Sequence, residues 1–151
     1  MSREAILPKK VLILVNGTST DNDVVKIACS MTEKADGEVY AIYIIELKRT
    51  LPLEAEVEPE IQKGESVLDH AERLAKEHHR DMETLLLQAR DKGSAIVEEA
   101  MEREVDLIIV GLNYEKPHGQ FSLGSMIPYL LKWAPCRVLI YREPIPVEQE
   151  D

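Results

Sequence analysis

The chain has 151 residues, 44% of them apolar and 5% aromatic, which is the size and composition of one domain able to bury one full core. Its formal charge of −10 and pI near 4.9 oppose the approach of a phosphate backbone, and no basic stripe offsets this, so nucleic acid is excluded as a partner. No apolar run is long enough to cross a bilayer, and residues 1 to 10 lack the apolar segment of a secretion signal, so we expect a cytoplasmic protein with no membrane role.

Residues 11–15, Val-Leu-Ile-Leu-Val, form a continuous apolar run closed by Asn16-Gly17, the pattern of a strand buried on both faces. Thr18 to Asn22 supply capping residues, and Val24, Val25, Ile27, Ala28 and Met31 recur at helical spacing, which predicts a helix over about 22–35 that stops at Asp36-Gly37. Residues 39–45, VYAIYII, are β-branched and aromatic and predict a second strand that leaves at Glu46. The acidic stretch from Leu47 to Lys63 contains Pro52 and Pro59 and has the composition of a loop. Val67, Leu68, Ala71, Leu74 and Ala75 then place an apolar stripe on a helix that starts at about Pro59 or Gly64 and runs to His79. A third strand over Met82–Ala89, a short helix carrying Ile96, Val97, Ala100 and Met101, and a fourth strand over Leu107–Val110 follow.

From Asp106 to Arg142 the sequence reads as a complete strand, loop, helix and strand. A glycine, Gly111, stands at the strand exit, Gly124-Ser125 at the helix entrance, and a final strand covers about Cys136 to Tyr141. A helix start carries unpaired N–H groups and the positive end of the helix dipole, so it suits an anion. The order βαβαβαβαβ with right-handed crossovers predicts an α/β fold: an open five-stranded parallel sheet with helices on both faces. We expect a single domain over 1–151, its core at about 10–142, with a charged tail.

Gly111, Gly124-Ser125 and the ending WAPCRVLIYR resemble the C-terminal signature of the universal stress protein family, G-x2-G-x9-G-[S/T], which in that family cradles the ribose and phosphates of ATP. The resemblance runs from about Lys10 to Arg142. It implies a Rossmann-like sheet in the order 3-2-1-4-5, with a ligand crevice where that order reverses, between strands one and four. It also implies site residues. Asn16 stands where the family has an aspartate on the adenine or ribose, keeping hydrogen-bonding reach without the charge; equally, Asn16-Gly17 reads as turn chemistry. Ile44 matches the position whose backbone meets adenine. Gly111, Gly124 and Ser125 keep the spacing of the phosphate motif, whereas Tyr114 replaces its second glycine and would either occlude the crevice or stack on a base. Pro128 removes one donor from the first turn of the last helix.

No nucleophile elbow, metal-binding spacing or phosphate-loop lysine is present, so we do not expect an enzyme. Cys29 and Cys136 read as reduced, non-ligating thiols; adjacent His78 and His79 point apart on a helix, and Lys116 and His118 read as solvated loop residues. The resulting expectation is a regulatory protein that binds ATP or AMP weakly, with no essential cofactor and no metal. The alternatives are a dimeric interaction module of the same fold whose site is lost, and a slow ATPase. The apolar last strand, an edge strand in the implied order, predicts a homodimer through residues 136–141.

Overall fold

A computed structural model describes residues 7–112 and 124–144. Five parallel strands, β1 (Lys10–Leu14), β2 (Glu38–Glu46), β3 (Met82–Ala89), β4 (Leu107–Leu112) and β5 (Arg137–Arg142), form one sheet in the order β3-β2-β1-β4-β5. This is the expected α/β architecture and the expected order. Four helices alternate with them: α1 (Thr20–Thr32), α2 (Glu58–Glu77), α3 (Lys92–Glu102) and α4 (Met126–Trp133).

Continuous apolar runs mark strands covered on both faces, and β1 shows why: Val11, Leu12 and Ile13 have no exposed surface. Alternate residues serve opposite layers. Val11 and Ile13 pack with Val24, Val25 and Ala28 of α1 and Leu68 and Ala71 of α2, while Leu12 and Leu14 pack with Ile96 and Ala100 of α3 and Ile127 and Leu130 of α4.

The stretch expected to be loop up to Lys63 is loop only as far as Val57. Pro59 sits in the first turn of α2, where its missing N–H has no acceptor to lose, and Glu58 and Glu60 are favoured there by the helix dipole. Helix α3 also starts earlier than its apolar stripe, because the Asp91 side chain caps it by accepting the Ser94 N–H at 2.9 Å.

The amino ends of the strands are tied together. Both carboxylate oxygens of Asp106 accept backbone N–H groups, with Lys9 at 2.9 Å the shortest. Arg103 pairs with Glu99 at 3.1 Å and Glu83 at 3.4 Å and lies 5.0 Å over the Tyr40 ring. The Tyr40 hydroxyl donates to Glu38, a bond that, with burial, pushes its pKa up to about 12. Arg80 bonds Asp36 at 3.1 Å and the Gly37 carbonyl.

Candidate functional site

At the carboxyl ends the chain is less tied, and the first feature there is the turn that leaves β1. Gly17 has φ +84°, a conformation that favours glycine, and an added Cβ would stand 2.9 Å from Val67 of α2. The turn folds around the carboxylate of Asp21 in the first turn of α1. That side chain accepts the N–H groups of Asn16 at 3.0 Å and Gly17 at 2.7 Å, and the Thr18 backbone also donates to it. Asp21 is only 5% exposed, and burial pushes its carboxyl above the ordinary range although these donors and the nearby His70 pull the other way. Turn chemistry at Asn16-Gly17 is therefore real, but it uses the Asn16 main chain. The Asn16 side-chain amide has no hydrogen bond with any described residue.

That amide borders a crevice of about 550 Å3 at the top of the sheet, between the two helical layers. Leu14 and Asn16 from the β1 end and Ile44 and Glu46 from β2 form its floor. Glu60 and Lys63 of α2 stand on one side, Lys92 of α3 and Met126 of α4 on the other. Neither lysine and neither glutamate has an ion-pair or hydrogen-bond partner from its side chain among the described residues.

Two expected site residues, Asn16 and Ile44, thus share one crevice. Gly124 and Ser125 directly precede its Met126 wall. Gly124 has φ +67° and open space where a Cβ would be, so the backbone there can be approached closely. Ser125 is the N-cap residue of α4, yet its hydroxyl makes no capping bond. Gly111 is not among the crevice residues, nor is any other residue of β4, so the described lining sets the crevice over the ends of β1 and β2, whereas the family resemblance implied a place between strands one and four. The β1–β4 register sets Gly111 level with Val15, one residue short of Asn16, and a Cβ on it would lie 2.4 Å from Cγ2 of Thr20. Its lack of a side chain is required by α1 packing, independently of any ligand. Tyr114, Lys116 and His118 lie outside the described residues.

Comparison with known proteins decides the lineage. The model of the universal stress protein family matches residues 8–142. The chain belongs to that family. A curated universal stress protein of Methanocaldococcus jannaschii is 28% identical over 144 residues, 91% of this chain and 84% of the relative. Two solved universal stress proteins share the fold. One, from Archaeoglobus fulgidus in complex with dAMP, superposes with a TM-score of 0.70 at 15% identity over 89% of this chain and 98% of that one. The other, from Arabidopsis thaliana with AMP bound, gives 0.65 at 16% identity over 91% and 93%.

Sequence reasoning missed Lys63, Lys92, Glu60 and Asp21. A lone lysine on a helix reads as solvent-facing, and only the tertiary arrangement brings Lys63 and Lys92, from two different helices, to one crevice. Asp21 left a trace, since an aspartate four residues after a strand-ending Asn-Gly can reach back to cap the turn. Among the described residues no group of three or more His, Cys, Asp or Glu side chains could hold a metal ion, and no helix is long and apolar enough to cross a membrane. Burial raises the pKa of both thiols, Cys29 and Cys136.

Proposed function

We propose that this universal stress protein is a regulatory protein that takes an adenine nucleotide, ATP or AMP, in the crevice at the carboxyl ends of β1 and β2. In this reading the Asn16 amide meets the ribose, the Ile44 backbone meets adenine, and the phosphates lie toward Gly124 and Ser125, and the family resemblance adds Gly111, near the end of β4, and Tyr114 to the contacts. The observation that carries it is the crevice itself: Asn16, with its side-chain amide unengaged, and Ile44 line it together with the residue that follows Gly124-Ser125. Relatives of the same fold with dAMP and AMP bound support the ligand class.

The affinity is weak. Asn16 lacks a charge, Tyr114 replaces a close-approach glycine of the family motif and Pro128 lacks a donor, and the loss of two or three bonds at about 1.5–3 kcal/mol each takes a micromolar site toward the millimolar range. Calorimetric titration of the purified chain with ATP and AMP tests this. Submicromolar binding would overturn the weak-site reading, and no binding at millimolar nucleotide would overturn the nucleotide reading altogether.

One observation favours a second role beside the first, assembly of two copies. The edge strand β5 exposes Leu139 at 37%, on the α1/α2 side of the sheet where it lies level with Ile109. A two-fold pair through β5 covers that surface, and Leu139→Lys disrupts it. Sedimentation of the unmodified chain as a monomer at tens of micromolar, an order-of-magnitude choice for modest interfaces, would refute the pair.

A further inference from the structure

We propose that Lys63 and Lys92 are the phosphate contacts of the crevice and that they set its ligand as a nucleoside monophosphate rather than a triphosphate. The inference rests on the nucleotide reading above and adds to it the charge of the ligand. It comes from the distribution of cations. At the amino end, the cleft of about 680 Å3 beside Arg80 has its guanidinium occupied by Asp36 and the Gly37 carbonyl, and Glu38, Asp81 and Glu83 stand around it, so an anion finds no open cation there. In the groove between α1 and α2, which Lys63 also borders, the His70 ring is bonded to the Asn22 side chain at 2.9 Å, so Lys63 is the single unpartnered lysine among the lining residues there. The carboxyl-end crevice differs from both. Lys63, exposed, and Lys92, half-buried, come from separate helices to one opening and neither is neutralised by a side-chain partner.

Two compact ammonium groups match the charge of one phosphate, about −1.5 to −2 at neutral pH. Additional phosphates would have to be held against the unpaired carboxylates of Glu46 and Glu60 and the field of a chain of net charge −10. Those carboxylates have a use of their own, since acceptors on the wall suit a ribose diol or an exocyclic amine. The wall thus offers two cations for one phosphate and acceptors for the nucleoside.

The test is calorimetric titration of the full chain with adenosine, AMP and ATP at two salt concentrations, then of the Lys63→Met/Lys92→Met double variant, with circular dichroism to verify its fold. Lys34→Met, on the α1–β2 connection at the other end of the sheet, is the control. The unmodified chain binds AMP at least about tenfold tighter than adenosine and ATP no tighter than AMP, the AMP preference shrinks with added salt, and the double variant brings the AMP-to-adenosine ratio to about one. The control keeps the ratio of the unmodified chain. Equal binding of AMP and adenosine, or an AMP preference that survives in the double variant, overturns the lysine assignment and leaves the nucleotide reading standing. ATP bound about tenfold tighter than AMP overturns the monophosphate limit. Failure of all three ligands to bind at millimolar concentration overturns the nucleotide reading and this inference with it.

Discussion

The two ends of the parallel sheet are built from similar residues and treat them in opposite ways. At the amino end, Arg80, Arg103 and Asp106 are each bonded to neighbouring side chains or backbone, and helices turn into strands within a few residues. At the carboxyl end the β2–α2 and β4–α4 connections are longer, and Lys63, Lys92, Glu46 and Glu60 face a shared crevice with no partner among the described side chains. Backbone geometry alone makes the carboxyl ends of such strands the place for a ligand. The disposition of charge adds a reason of its own: one end has consumed its polar groups in holding the fold, and the other has kept them. Substitutions at the amino end should therefore cost stability and spare binding, and those in the crevice should do the reverse.

Asp21 is where that division is most exposed to failure, because it is a carboxyl-end residue with a structural task. Asp21→Ala leaves the N–H groups of Asn16 and Gly17 without their acceptor, and we expect a loss of about 2–4 kcal/mol in chemical denaturation together with weaker nucleotide binding, as the turn under Asn16 loosens. A loss below about 0.5 kcal/mol would mean that the turn holds itself.

Next in size is Gly111→Ala. The new methyl would stand 2.4 Å from Cγ2 of Thr20 and 3.0 Å from Cγ2 of Val24, and since a β-branched side chain on a packed helix gives way poorly, α1 must shift at a cost of about 1–3 kcal/mol. Thermal unfolding reads this effect with no ligand present. A fall in AMP affinity at undiminished stability would instead assign the glycine to the crevice.

Arg80→Met sharpens the contrast from the other end. Asp36 is almost fully exposed, so that pair adds little, and the Arg80 Nε is buried without a partner, a burden that the variant removes. Only the bond to the Gly37 carbonyl is lost at full value, so a net destabilisation of about 1 kcal/mol with unchanged AMP affinity is expected.

The smallest effect concerns pH. Because burial raises the folded-state pKa of Asp21 above 3.8, the proton-linked part of its contribution to stability is fully present below pH 3.8 and is lost as pH rises through the raised value, while its acceptance of the turn N–H groups remains. The stability of the unmodified chain relative to Asp21→Asn should accordingly fall from acid toward neutral pH, and a rise over that window would show that the N–H donors outweigh burial.

The strands were legible in the sequence because burial on both faces writes itself as an unbroken apolar run. Their spatial order came through likeness to a family, since periodicity carries no information on neighbours. Helix α2 was half legible: its stripe from Val67 to Ala75 was plain, while Pro59 and its flanking glutamates read as loop although a first turn accepts both. In the site, Asn16 and Ile44 fell into one crevice as expected of strand ends. Gly111 was marked for its spacing, and its tight fit against Thr20 was invisible, because a contact between residues 91 positions apart leaves no local pattern. The same holds for the meeting of Lys63 and Lys92.

The place of β1 at the centre of the sheet has a consequence in time. It is the first strand to be synthesised, and its partner on one side, β2, follows soon, but on the other side Val11 pairs with Leu107, 96 residues later. At the ordinary pace of translation, that edge of the most deeply buried strand waits roughly 5–20 s for its cover. The half-made chain must carry a sticky, unpaired edge through that interval, so the moment at which this protein is most prone to aggregate comes before it is finished.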